Sequence, residues 1–504
     1  MSTKIAIYWP GDYRQEPNRT ALPSMQAATA QMEKALDRLG RPHYRVDGFL
    51  TKPSDAIEKL RPIDDPLIGL YVHWVYGQNT TEGVVGKDSP LLLASNFSGE
   101  WPGLVGLLNT AACLETMDRP YSRAWTDADD WTTDDAYMTM LDEWCTTGRI
   151  NHPEKGISRH APVSSEASAV AALVAAEMKA NRPLAMMLGD TSMGMINGYF
   201  GPRLLSKIGF SEHKVDQAWL IDRGRNIDAK RIEDAYKFVC DKGVTFHYGG
   251  DFDAEATKEQ LRDYLTVLDL LEEFGADCVG WQYQLGLIGL RPPSDFAEGL
   301  LNSACRPESN GEPVIDSTEG DQGNLVPMEM MKRLLRAKKL HPAVMFHDVR
   351  WGGKVDDRFI WVLLNSGSCG AYAFNFDPDS LKGVHSYRQT PQYFPIPGGT
   401  FTGESLPGDI TWARAYLRGG ELWMDIGRGE VVKLPETERD AFWKGTNPEW
   451  PLMTADLGMS RETLMAHYMS NHIAVAYGDI FGEMVALSRE LGFKVRILGK
   501  GENP

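Results

Sequence analysis

The stretch 316-DSTEGDQGN-324 sets Asp316, Glu319 and Asp321 close together, just ahead of the apolar-periodic run 325-LVPMEMMKRLL-335. Carboxylates so spaced can ligate a cation, work as an acid/base pair or stand solvated in a loop. Taken alone, the stretch favours the loop. Two other stretches change the balance. In 345-MFHDVRWGG-353 an apolar strand pattern delivers His347, Asp348 and Arg350. Polar groups at the carboxyl end of a strand are where α/β proteins place ligands, although an Asp348–Arg350 ion pair is the plainer alternative. In 465-MAHYMSNHIAVAYGD-479, His472 follows Asn471 among small and apolar residues, where a lone histidine is more often a core or helix-cap group than a ligand. As a set, Glu319, Asp348 and His472 offer two carboxylates and one imidazole. That oxygen and nitrogen mixture suits Mn²⁺ or a similar borderline-hard cation. No local motif joins the three residues, which lie far apart in the chain.

The elements that must position them read as repeated strand and helix. The runs 4-KIAIYW-9, 44-YRVDGF-49, 66-PLIGLYVHW-74 and 90-PLLLASNF-97 have buried-strand character, with a helical pattern at 23–40 capped by Gly40 and a second near 54–61. An Ala-rich helix, 167-ASAVAALVAAEMKA-180, follows with Ser164 or Ser165 as its cap. A second series runs through strand 183–189, helices at 227–242 and 257–275, strand 277–283, a helix at 326–338 and strand 343–349. Repeated strand–helix units predict parallel sheets. The last third changes character. Residues 358–374 read as strands, 375–412 are rich in Pro, Gly, Ser and Thr, 421-ELWMDIG-427 and 430-EVVKLP-435 read as two antiparallel strands about a turn, and a helix covers 479–492. The expected fold class is therefore two parallel-sheet α/β, Rossmann-like domains at 1–170 and 171–350, then a β-rich domain with a terminal helix at 351–504.

A chain of 504 residues is too long for one core, which agrees with that division. A net charge of −17 repels phosphate backbones, so nucleic acid is not an expected partner. The six cysteines form no CxxC pair, which argues against a zinc ribbon or a redox dithiol. No apolar leader and no membrane-spanning run is evident, so no membrane association and a cytoplasmic location are expected.

Several short stretches, in one order along nearly the whole chain, resemble the L-fucose isomerase family, whose fold is shared by L-arabinose isomerases. They are 74-WVYG-77, 96-NFSGEWPG-103, 188-LGDTSMGM-195, 216-DQAWLIDR-223, 282-QYQ-284, 301-LNS-303, 318-TEGD-321, 346-FHDVR-350, 364-LNSGS-368, 446-TNPEWP-451 and 471-NH-472. The resemblance implies two α/β domains and a third with a barrel-like core. It also implies aldose–ketose isomerisation with Mn²⁺, or another divalent cation such as Co²⁺ or Mg²⁺. Glu319, Asp348 and His472 would be the metal ligands, and Glu319 and Asp348 the acid/base pair. Gly320 and Gly323 would then serve the turn and Asp321 would support it. Arg14, Trp74, Gln284, Ser366, Tyr393 and Asn471 resemble the family's sugar-binding positions, with Arg19 a rival to Arg14 and Gln282 a rival to Gln284. The segment around Trp74 implies a homo-oligomer, a hexamer in the family, with sites shared between subunits. The chain departs from the fucose enzymes after 450-WP-451, where Leu452, Met453, Thr454 and Ala455 replace a region carrying a pocket tryptophan, and again in 390-TPQYFPIPGGTFTG-403. Those departures widen the candidate substrates from L-fucose and D-arabinose to a hexose modified at C6, such as sulfoquinovose. Arg14, Arg19, Arg350 and Arg388 are the candidate anion partners. A sugar-binding protein without catalysis and a C2 epimerase are the rival functions.

Overall fold

The computed structural model describes residues 4–97, 103–191, 193–284, 286–367, 369–444 and 450–499. The first sheet contains β1 (Ile5–Pro10), β2 (His43–Leu50), β3 (Leu67–Tyr71), β4 (Leu91–Asn96) and β5 (Ser122–Thr126), all parallel, in the order β2-β1-β3-β4-β5. β3 and β5 are buried along their whole length, as strands covered by helices on both faces must be. The helix after β1 spans Gln15–Arg38, starting ahead of the 23–40 pattern and carrying Pro23 inside it. The two-residue strand β6 (Ile157–Ser158) follows, then the helix Ser165–Asn181, whose N-cap is Ser164 accepting from the Ala167 amide.

The second sheet contains β7 (Leu184–Leu188) and β8 (Ser211–Val215). After the outlying β9 (Thr245–Phe246), it adds β10 (Cys278–Trp281) and β11 (Ile315–Thr318). Its order is β11-β10-β7-β8 and every pair is parallel.

The third sheet closes on itself. β12 (Val344–Val355), β13 (Arg358–Leu364), β15 (Gly408–Arg418), β16 (Glu421–Val431), β17 (Met453–Asp456) and β18 (His472–Tyr477) form an antiparallel ring in the order β15-β18-β12-β13-β17-β16, with β16 pairing back to β15. Closure removes the sheet edges that an open β domain would expose. The short β14 (His385–Ser386) pairs with β9, and β19 (Lys494–Leu498) extends the ring's sheet from β16 to β6.

Two local expectations are corrected here. Residues 421–431 are one strand, not a strand, turn and strand, since β15 pairs with all of it from Arg418↔Glu421 to Gly408↔Val431. The glycines that suggested a turn serve close approach: a Cβ on Gly427 would collide with the Trp412 indole, and one on Gly429 with the Asp456 carbonyl. The strand expected at 343–349 runs on to Val355 and belongs to the barrel. Asp348 is therefore mid-strand in an antiparallel ring, rather than at the end of a parallel strand.

One helix ties the second sheet to the barrel. Gln322–Ala337 packs Leu325, Met328 and Met331 against the barrel's Ala413, Ala415, Ala474 and Ala476. Each large apolar side chain buried there stabilises by about 1.5–3 kcal/mol. Gly323 sits so close to Arg414 and the Ala415 carbonyl that a Cβ would collide with both. It is a contact glycine and not a turn glycine. This packing fixes the turn that carries Glu319 against the barrel strands.

Candidate active site

The chain reverses sharply where β11 ends. Glu319 and Gly320 both have left-handed backbones, with φ of 63° and 66°. For glutamate that conformation is strained, and such strain is found where a side chain must be aimed. At Gly320 no other residue fits, since a Cβ would lie 2.6 Å from the Asp190 carbonyl oxygen. The reversal leaves Asp321 as the cap of the helix Gln322–Ala337, accepting from the Gly323 amide at 2.8 Å.

Asp348 on β12 and His472, the first residue of β18, are directly opposed across the ladder. Such pairs hold their Cβ atoms about 5 Å apart, so imidazole and carboxylate meet without any loop adjusting. His472 Nε2 lies 3.2 Å from Asp348 Oδ1 and 3.5 Å from Glu319 Oε2. Its Nδ1 bonds Asp321 Oδ2 at 2.7 Å, and Asp321 also pairs with the buried Arg414. Asn365 Nδ2 donates to Asp348 Oδ2 at 3.0 Å and Asn471 Nδ2 to Oδ1 at 3.2 Å, which fixes that carboxylate's orientation.

Burial raises the Glu319 carboxyl to about 8, with the charges of His472 and Asp348 pulling in opposite directions. Burial alone would lower the His472 imidazole. The bond to Asp321 and the charges of Asp348 and Glu319 outweigh it and raise the group to about 9. Asp321 goes the other way: burial opposes its ionisation, but Arg414 and His472 hold it well below the usual carboxylate range.

Glu319 and Asp348 lie on the floor of a pocket. Its walls come from the switch points of both parallel sheets, where the connections from two adjacent strands lead to opposite sides of the sheet. In the first sheet β1 and β3 flank that point. Arg14 follows β1 and Trp74 follows β3, and both line the cavity. In the second sheet β7 and β10 flank it, and Met193, Tyr283 and Gln284 follow them to the same cavity. The barrel side adds Arg350, Asn365, Ser366, Tyr393 and Trp450. Arg14 is held by Asp12 through Nε at 3.0 Å and Nη2 at 2.6 Å, donates to Gln284 Oε1 at 3.0 Å, and lies 4.8 Å over the Tyr393 ring. The Trp74 indole nitrogen is buried with no hydrogen-bond partner in the chain, which leaves a donor available to a ligand.

A family model described as the L-fucose isomerase C-terminal domain matches residues 363–498. The L-fucose isomerase of Vibrio vulnificus (strain YJ016) is 25% identical over 380 residues. That match covers 62% of this chain and 63% of the relative's length. The similarity is thus to L-fucose isomerases, with the family-model match confined to the C-terminal part of the chain and the relative matched over less than two thirds of its length.

Against the fucose isomerase pattern, the structure separates the rival positions. Arg14 lines the cavity, whereas Arg19 is on the surface with a side chain 74% exposed, paired with Glu16. Gln284 lines it too, whereas Gln282 bonds the Asp190 amide and the Thr191 carbonyl behind the wall. Asn471 is buried behind Asp348 and does not line the cavity, so its contact is with the carboxylate. Leu452, Met453 and Ala455 are buried in the barrel core. Trp450 lines the cavity instead, and its Nε1 donates to Gln389 Oε1 at 2.7 Å. Trp74 lines the cavity within its own chain. Sequence reasoning missed Tyr283 and Asn365, which neighbour Gln284 and Ser366 in the quoted motifs 282-QYQ-284 and 364-LNSGS-368. Trp450 was quoted, but only as a landmark.

Among the described residues no cluster of three or more His, Cys, Asp or Glu side chains forms a ready-made metal cage. The convergent triplet still has the chemistry of a cation's donor set. Glu319 Oε2 and His472 Nε2 are buried without hydrogen-bond partners, and the imidazole's other nitrogen is engaged by a carboxylate, as in metal-binding histidines.

Proposed function

We propose that this protein is a metal-dependent aldose–ketose isomerase that works through an enediolate. One observation carries the reading: the Glu319 and Asp348 carboxylates converge at 3.5 and 3.2 Å on His472 Nε2 at the floor of a polar and aromatic pocket. The fucose isomerase relationship supports the reaction class. Glu319, Asp348 and His472 would hold the cation, Mn²⁺ or alternatively Co²⁺ or Mg²⁺, which would supply Lewis acidity toward the substrate carbonyl.

The chain's own groups handle the protons and the sugar. Glu319 takes the C2 proton and returns it to C1. Asp348, oriented by Asn365 and Asn471, passes the hydroxyl proton between the oxygens. Arg14, Trp74, Gln284, Ser366 and Tyr393 hold the sugar hydroxyls, and Asn471 acts through Asp348. The aromatic rings of Trp74, Tyr393 and Trp450 exclude water while the proton is in transit. The substrate is L-fucose, D-arabinose or a C6-modified hexose such as sulfoquinovose. The working assembly is a homohexamer in the cytoplasm. Among the described residues no helix is long and apolar enough to cross a membrane.

The test uses metal-stripped protein, added Mn²⁺ and these aldoses in D₂O, followed by NMR. Ketose carrying solvent deuterium, formed only with Mn²⁺, is the expected result. A second aldose as product would mean a C2 epimerase. No turnover and no retained metal would sink the proposal in favour of a sugar-binding protein.

A further inference from the structure

Arg350 is the extra residue of a β-bulge. The register between β12 and β13 runs Asp348↔Leu364 and Val349↔Leu363, then resumes at Trp351↔Val362, and Arg350 has no opposite number. Bulges beside active sites re-aim a side chain, and this one brings Arg350 into the cavity beside Asp348. The guanidinium lies 5.3 Å over the Trp450 ring, which in turn faces Tyr393 at 6.4 Å. It therefore reaches toward the aromatic end of the pocket, where the tail of a sugar held at C1 and C2 by the floor arrives.

Its partners are few. The side chain is only 15% exposed, yet Nε has no hydrogen-bond partner and the nearest carboxylate oxygen, on Asp348, is 3.8 Å away, beyond hydrogen-bond range. The other three arginines are spoken for. Arg14 is clamped on both sides by Asp12. Arg19 pairs with Glu16 at the surface. Arg388 bonds Asp251 and the carbonyls of Gln389 and Phe394. A largely buried guanidinium with unused donors is costly unless something pairs with it. Its planar fork matches sulfonate, phosphate and carboxylate oxygens.

We infer that Arg350 seats an anionic group on the terminal carbon of the sugar, so that the substrate is an acidic aldose rather than a neutral one. This rests on the isomerase reading above and narrows its substrate class. Asp348 and Arg350, two residues apart on one strand, would then present a floor carboxylate and the cation that receives the tail.

The experiment compares matched sugars, D-glucose against sulfoquinovose, glucose 6-phosphate and glucuronate, by kcat/KM in wild type, Arg350→Gln and Arg350→Lys. Calorimetry with the non-reacting pair glucitol and glucitol 6-phosphate reads binding apart from turnover. The expected result is a preference for one acidic member of about a hundredfold. That preference should collapse in Arg350→Gln and survive in part in Arg350→Lys, and the favoured acid names the anion. Three results would overturn the inference and leave the isomerase standing: wild type turning over neutral sugars equally well, an unchanged preference in Arg350→Gln, or a fall in kcat for all sugars alike. That last pattern would make Arg350 a positioning residue for Asp348. Arg350-dependent binding of glucitol 6-phosphate without ketose from any sugar would support the inference and remove the isomerase.

Discussion

Arg14 and Trp74 reach the pocket on loops that leave the ends of β1 and β3, whereas Asp348 and His472 face each other inside a closed ring of strands. The wall is held by a few side-chain bonds such as Arg14 to Asp12 and Gln284. The floor is held by the barrel register itself, with Asn365, Asn471 and Asp321 bonded to the reacting groups. Loops tolerate replacement at a modest cost, while a buried, hydrogen-bonded floor does not. Under the proposed isomerase reading, the floor would carry the chemistry and the wall the fit to the substrate.

Removing the floor carboxylates tests that division most severely. Glu319→Gln and Asp348→Asn should each lower kcat about a thousandfold while circular dichroism and melting stay near wild type. Near-normal turnover in either variant would take that residue out of the chemistry.

The imidazole comes next. His472→Ala should weaken Mn²⁺ retention at least about tenfold, measured as metal content after dialysis. In metal-free protein the folded state binds more protons than the unfolded chain, because both Glu319, at about 8, and His472, at about 9, are raised. The His472 contribution to stability is therefore complete below about pH 6.5 and lost as pH climbs through about 9. The urea midpoint should fall over that window. It should flatten when Mn²⁺ replaces the protons, since metal and protons compete for the same atoms. A midpoint that rises with pH would contradict the assigned environment.

The wall should respond least. Arg14→Lys loses the fork that holds Asp12 and Gln284 together and should raise KM about tenfold with kcat little changed. Arg19→Ala should leave both constants alone. An Arg19 effect as large as the Arg14 effect would mean the wall is drawn wrongly.

Much of the scaffold was legible because its signals are local. Apolar runs marked most strands of the parallel sheets, and Ser164 or Ser165 marked a helix start. Glycines misled where their reason was tertiary. Gly427 read as a turn residue but makes room for Trp412, and Gly323 read the same way but makes room for Arg414. Arg350 was visible as a cation, yet its special status comes from a register shift between two strands, which no single strand's sequence displays. The same holds for choosing Arg14 over Arg19: five residues apart, they differ only in which end of a helix turn faces the switch point.

The sequence by itself determined the alternation of strand and helix, the candidate donors Glu319, Asp348 and His472, and through its motifs a resemblance to L-fucose isomerases. Those follow from periodicity, residue chemistry and short-range pattern. Only the tertiary structure decided that β12 belongs to the barrel, that Asp348 and His472 are cross-strand neighbours, and that two switch points open onto one cavity. The physical reason is that strand register and ring closure are set by side chains packing across the whole molecule, so residues distant in the chain become neighbours only when the barrel closes.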